Sequence, residues 1–518
     1  MVVNNNKMGL YGAVSFVCGN IIGSGLFITP TSILRKTNSV GLSLIIWGLS
    51  AVISVLGAYC YVELGTSIRK SGADFAYLCY VGWFPAAFTF MSTGCLMTYP
   101  ATLAVQAQTF SEYLFQGIGI NLKDKSMENY GKILTSFALV WLLLFLNFFS
   151  VKTFVSRFQI AATASKVLST LTIVVIGGYH LIYKGDTHNL QKPFRGAKWY
   201  PGTIATSFFS GLFSYDGWDI LNFGAEEVEN PKRTMSLAII IGMSFVALLY
   251  LATNLSFFVV LSVDEMLQHD AVAMSFAEHT MGNAKYVMAL LVSILLIGSL
   301  NSTLFSASRY LYAGAREGHL PSFISIVNKE HDSPRCALFY HVVMAMMFSL
   351  AGNTDTLIGY LGFAQWIQRT LTMAALIYIR VTNKPVHPEH IRTPLILPLI
   401  FMVICAALVI VTIVQEIDTA AVGLGFLVAG FFFYVIFLWD KALPRYDGYR
   451  NACRKINDKA AAYNQIVFNG VVDYEDIKES AEAEIEIETK RRETVVSLTK
   501  RIVPLSAESE FEIKKQRF

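Results

Sequence analysis

The sequence predicts an all-α membrane protein of twelve transmembrane helices, two of them discontinuous. Of its 518 residues, 54% are hydrophobic and only 15% are charged, against about a quarter charged in soluble chains. The apolar residues gather into runs of about twenty, the length at which a helix crosses hydrocarbon. Two of these runs, five spans apart, are interrupted by glycine in a similar way, as in proteins built from two structural repeats.

The spans fall at 8–34, 40–66, 83–116, 131–150, 159–183, 201–226, 235–262, 284–312, 335–352, 355–381, 394–416 and 418–439. They form one twelve-helix domain over residues 1–439. Residues 440–518 are a charged, solvated tail, partly helical at most. The first run contains Gly19, Gly23, Gly25 and Pro30 and continues past signal-peptide length, so it reads as a retained membrane helix. An even number of spans puts both termini on one side. In the second half, Arg309, Arg316, Lys329, Arg335, Arg380, Lys384 and Arg392 share that side with the tail, which places the termini in the cytoplasm. In the first half the charge rule fails: the supposed outer loops hold Arg35, Lys36, Lys132, Lys184 and other basic residues.

The formal net charge of +4 is small, and no basic stripe suggests nucleic acid. The seven cysteines (Cys18, Cys60, Cys79, Cys95, Cys336, Cys405 and Cys453) lack metal-type spacing, and most read as small packing residues. No catalytic motif or cofactor-binding pattern is present, so an enzyme is not expected. His387 and His390 share a short loop without a third ligand and read as a solvated turn.

The breaks carry the chemistry. Gly23-Ser24-Gly25 weakens one turn of the first span, and Gly211 to Trp218 does the same in the sixth. An unwound turn exposes amides and carbonyls that hydrocarbon cannot satisfy, so it survives only where it lines a polar cavity. The amides at Ser24 and Gly25 open a half-helix and suit a carboxylate. The carbonyls near Ile21, Phe213 and Asp216 suit an ammonium, so the two poles of a zwitterion can be met. Helix packing is the competing explanation for Gly19 and Gly23, whose four-residue spacing is common in membranes.

Ionisable residues inside spans are expensive. Lys166 reads either as a fixed positive charge beside the cavity, holding spans one and eight, or as a lysine snorkelling to an interface. Asp216 can face a cationic substrate, pair with a protein cation or cap the next half-helix, capping being preferred. Arg369 either pairs with an acid such as Asp216 or reaches an interface. Glu63 and Arg69 read as interfacial. Phe213, Tyr215, Trp218 and Trp366 are pocket or gate candidates against a background of ordinary packing aromatics.

Five stretches, 19–27 (GNIIGSGLF), 63–77 (ELGTSIRKSGADFAY), 211–223 (GLFSYDGWDILNF), 226–231 (EEVENP) and 298–321 (GSLNSTLFSASRYLYAGAREGHLP), with Arg392-Thr-Pro394, resemble the light subunits of heteromeric amino-acid transporters. These form a branch, with the L-type transporters, of the amino acid–polyamine–organocation superfamily. The resemblance covers nearly all twelve spans and excludes the tail. It implies a LeuT-like, inverted five-plus-five repeat with two added helices, in the plasma membrane. It also implies sodium-independent transport, usually obligatory exchange of amino acids by alternating access, without a cofactor. It assigns the substrate carboxylate to the amides of Ser24 and Gly25 and the ammonium to the carbonyls of Ile21, Phe213 and Asp216; Gly23, Ser214, Trp218 and Ile220 join them as substrate-binding candidates. Gating or coupling candidates are Lys166, Phe213, Asn301 and Trp366, with Lys166 in the place sodium takes in sodium-coupled relatives. Asp216 and Arg369 are specificity candidates.

The sequence departs from that family in four places. The loop 117–130 lacks the cysteine that bonds a glycoprotein heavy subunit, so a heavy subunit is not expected through the family's usual outer-loop disulfide, and a non-covalent one stays open. Asp216 stands where Gly or Ser is frequent, Ile220 is apolar where some members carry a polar aromatic, and Arg369 adds a cation. The expectation is an exchanger of neutral amino acids, including large or aromatic ones. The alternatives are a substrate range of cationic plus neutral amino acids, and an amino-acid sensor that binds without translocating.

Overall fold

A computed structural model describes residues 9–69, 73–120, 124–148, 152–223, 228–268, 271–316, 320–328, 333–439 and 441–472. The last part of the tail, and parts of the stretches at 63–77, 226–231 and 298–321, lie outside the described residues. Each of the twelve segments drawn from the sequence falls on a helix or a helix pair. The first is α1 (Leu10–Ile21) with α2 (Gly25–Thr37), followed by α3 (Val40–Ser67) and the short α4 (Ala73–Val81). The third segment is α5 (Phe84–Thr93) and α6 (Tyr99–Ile118), joined by a π-helical turn at Gly94–Thr98. Pro100 follows that turn and cannot donate to the carbonyl four residues back, which accounts for the widened winding. Then come α7 (Lys125–Phe148), α8 (Lys152–Tyr179), the pair α9 (Pro201–Ser214) and α10 (Ile220–Phe223), and α11 (Pro231–Val260). Two short helices, α12 (Val263–Gln268) and α13 (Val272–Met281), precede α14 (Lys285–Arg316). The remaining segments are α15 (Arg335–Ala351), α16 (Thr354–Val381), α17 (Ile396–Gln415) and α18 (Ile417–Phe433). The protein is therefore an all-α, multi-pass membrane protein. By length and apolarity alone, seven helices are fit to cross a bilayer, or up to nine if each bent pair is one span.

The two broken segments pack on each other and against α3, α11, α16 and α17. Behind the second break, Trp47, Tyr215 and Tyr250 form a buried aromatic triangle with centroids 5.0–5.9 Å apart. This packing gives the irregular backbone a rigid wall.

Glu63 departs from the interfacial reading. It is buried, and both its oxygens accept from Arg380, while Thr393 donates its backbone N–H at 3.0 Å and its hydroxyl at 2.5 Å. Arg69 does pair at the surface, with Glu389 at 3.3 Å. A cation left alone in such a place is costly, whereas an apolar replacement of both partners is tolerated. Glu63→Gln should therefore lower stability by about 3–5 kcal/mol, measured as a drop in the melting temperature of detergent-purified protein. The double change Glu63→Gln with Arg380→Met should recover part of that loss.

Beyond α18 the chain is not merely solvated. Helix α19 (Asp447–Phe468) buries Ala461, Asn464 and Phe468, and strand β2 (Val471–Val472) pairs antiparallel with β1 (Ile326–Val327) of the α14–α15 connection. Arg335 ties this region together by donating to the carbonyls of Phe148 and Phe468 at 3.1 and 3.2 Å.

Candidate functional site

The first break is short because only Gly23 and Ser24 separate the cap of α1 from α2. Ile22 N–H still donates to Cys18 O at 2.8 Å, and Ser24 O already accepts from Phe27 and Ile28 at 3.0 and 3.1 Å. Between these caps the axis bends by 46°. Gly25 is required by crowding: a Cβ there would lie 2.7 Å from Ser214 Cα, in the second break. That second break runs from Ser214, the end of α9, to Ile220, with Gly217 at a φ of +98°, a conformation cheap only for glycine. The Asn20 amide donates to Gly217 O at 3.0 Å and so links the two breaks.

The carbonyls ending α1 are held from behind. Lys166 is buried and its Nζ donates to Gly19 O at 3.4 Å, while Tyr250 Oη donates to Ile21 O at 2.8 Å. Lys166 thus sits beside the break and does not reach an interface.

A cavity of about 280 Å³ lies against both breaks. Of the residues singled out from the sequence, Ile21, Gly23, Ser24, Gly25, Lys166, Phe213, Ser214, Asp216, Ile220 and Arg369 line it. Asp216 does not act as a helix cap. Arg369 Nη2 donates to its Oδ1 at 2.5 Å, and Gln365 approaches its Oδ2 at 3.4 Å. The guanidinium is sandwiched 4.8 Å from the rings of both Trp218 and Trp366, a stacked arrangement that suits arginine. Trp218 and Trp366 are themselves buried and stand behind Arg369, outside the cavity lining. Asn301 is also outside it: it accepts from the Asn147 amide at 2.8 Å in a contact between α14 and α7.

Sequence reasoning missed several polar lining residues. Asp74, Asp219, Ser299, Gln365 and Gln368 all face the cavity. Gln368 donates to Asp74 at 2.9 Å and Thr372 donates to it at 2.6 Å. The signal was available, because Gln365, Gln368, Arg369 and Thr372 recur at helical spacing within an apolar run and so share one face of α16.

On the α2 side the cavity is shut. Thr29 and Ser214 hydroxyls lie 2.5 Å apart, Ser32 and Ser210 hydroxyls 2.9 Å apart, and Lys36 Nζ donates to Thr206 O and Ser210 Oγ at 3.0 and 2.9 Å. Further out, Arg35 pairs with Asp355 at the start of α16. On the other side the lining continues past Asp74, Phe75, Phe90, Ser306 and Tyr310.

A bundle with two unwound helices around one buried polar cavity defines a membrane carrier for a small polar solute. Residues 8–438 match the amino acid permease family model, and the chain belongs to that family. It is 54% identical over 467 residues to amino acid transporter protein 6 of Caenorhabditis elegans, covering 90% of this chain and 89% of that one. It is 33% identical over 436 residues to the human b(0,+)-type amino acid transporter 1 (84% and 88% covered). With the human cystine/glutamate transporter it shares 34% over 441 residues (85% and 87% covered). These relatives bear out the resemblance to the light-subunit branch, and they are transporters, not enzymes.

Proposed function

We propose that this chain is a sodium-independent exchanger of neutral L-amino acids, large and aromatic ones included, working by alternating access in the plasma membrane. The observation that carries this reading is the placement of two backbone breaks against one cavity. The amides at Ser24 and Gly25 take the substrate carboxylate, and the carbonyls at Ile21, Phe213 and Asp216 take its ammonium. Phe213, at the cavity wall, serves as the gate. Lys166 places an amine where a sodium-coupled carrier would bind its ion, which supports sodium independence. Mutual neutralisation of Asp216 and Arg369 supports a neutral substrate side chain. The topology that goes with this reading is twelve crossings in an inverted five-plus-five arrangement, both termini cytoplasmic, the cavity closed toward the outside. A heavy subunit, where one is used, binds without the family's usual outer-loop disulfide, since residues 117–130 hold no cysteine.

Purified protein in liposomes preloaded with leucine should take up labelled leucine equally in sodium and choline buffers, and empty liposomes should take up little. Sodium-driven uptake into empty vesicles would overturn the proposal. Binding without flux would make the protein a sensor. A competition panel of acidic, basic, neutral and aromatic amino acids tests the neutral preference, with lysine or arginine as effective competitors being the contrary result.

A further inference from the structure

Helix α19 is more than the start of a tail. Its docked side is formed by Asn457, Ala461, Asn464 and Phe468, with Phe468 against Phe148 and Phe339 at 6.2 and 5.5 Å. Ile456, Ala460, Tyr463 and Val467 recur every three or four residues and form a second stripe, about a quarter-turn around the helix. The large side chains of that stripe are far from buried: Ile456 and Tyr463 are each 68% exposed, and Val467 is 53% exposed. A third side carries the exposed polar residues Asp447, Asn451 and Asp458. Such a helix has one side for the bundle, one for water and one left uncovered and apolar.

Three observations say what covers it. Phe468 packs on Phe339 of α15 at 5.5 Å, so α19 sits against the helix that presents an outward apolar face through Tyr340, Met347 and Leu350. The helix start is tethered to the end of α18, where Tyr449 Oη donates to Phe437 O at 3.3 Å, so α19 lies at the rim of a membrane-spanning bundle. Over 441–472 the chain carries six basic and two acidic residues, and exposed Lys455 and Lys459 lie between the apolar stripe and the polar side. This is the layout of a helix lying in a bilayer interface, its apolar side in the acyl boundary and its lysines among the headgroups.

We infer that α19 is a membrane-surface helix that rests on anionic lipid through Ile456, Tyr463 and Val467, with Lys455 and Lys459 contacting the headgroups. Because α19 is joined to the α14–α15 connection through β1 and β2, this contact anchors that connection to the bilayer surface. The test uses the full-length protein, with Cys453, the exposed thiol, changed to serine. Spin labels are placed at Ile456→Cys, Tyr463→Cys and, on the polar side, Asn451→Cys. Reconstitution is into nanodiscs of phosphatidylcholine alone or with about 30% phosphatidylserine. In the anionic discs, the labels at positions 456 and 463 should collide with oxygen, relative to a water-soluble nickel chelate, about threefold more often than the label at position 451. Adding Lys455→Glu and Lys459→Glu should reduce that ratio. Equal water accessibility at positions 456 and 451 would overturn the inference. So would shielding unaffected by phosphatidylserine and by the lysine changes, or shielding seen only in discs holding two copies. Two labelled positions, both exposed, keep a single misfolded variant from deciding the outcome.

Discussion

Lys166→Ala is expected to cut amino-acid flux sharply while leaving insertion and folding intact. The lysine is buried, with its amine 3.4 Å from Gly19 O, one turn before the first break. Its removal leaves that carbonyl without its partner and opens a gap between α8 and α1 at the point where the half-helix must pivot. An orphaned buried acceptor costs about 1–3 kcal/mol. Spread over the whole bundle this is tolerable, and size-exclusion profiles in detergent should stay monodisperse. Concentrated at the break it matters far more, because each 1.4 kcal/mol added to the conformational barrier slows turnover about tenfold. Exchange in proteoliposomes should fall by about fivefold to about a hundredfold on that basis. Wild-type kinetics in Lys166→Ala would mean that the amine has no part in transport.

Breaking the Asp216–Arg369 pair should change which amino acids are carried. Intact, the pair presents almost no net charge to the cavity. Arg369→Met removes the cation and leaves a carboxylate facing the substrate, so lysine and arginine should gain as competitors relative to leucine. Asp216→Asn does the reverse and should favour acidic side chains. Partly desolvated charge pairs at interfaces are worth about 1.5 kcal/mol or more, so each shift in relative affinity should be about tenfold or larger. The double variant Asp216→Asn with Arg369→Met should return to a neutral preference at reduced rate. Three unchanged competition panels would show that the pair is scaffolding. The sandwich between Trp218 and Trp366 makes Arg369→Lys a poor substitute, since an ammonium does not stack as a planar guanidinium does.

The fold and the breaks were legible in the sequence because both rest on local signals. Span length follows from runs of apolar residues, and a helix break follows from Gly23-Ser24-Gly25, where two glycines weaken a single turn. The Asp216–Arg369 contact joins residues 153 positions apart; sequence could name both charges and their possible pairing but not choose it over capping. Glu63 was misread because nearness to a span end resembles exposure, and only the fold brings Arg380 and Thr393 to it. The polar face of α16 was a missed local signal. The docking of α19 rests on Phe468 and on a two-residue strand, too short to be announced by any pattern.

The contact between α2 and α9 on the closed side is made of hydroxyls and one amine: Thr29 with Ser214, and Ser32 and Lys36 with Ser210. Greasy seals and hydroxyl seals respond to temperature differently. Separating apolar faces exposes hydrocarbon and raises the heat capacity, whereas wetting hydroxyls lowers it slightly. Water also replaces each lost hydroxyl contact nearly in full, so the net free-energy difference per bond is small. Parting this seam should therefore leave little curvature in an Eyring plot of turnover, and heavy water, which alters hydrogen-bond strength, should change its rate.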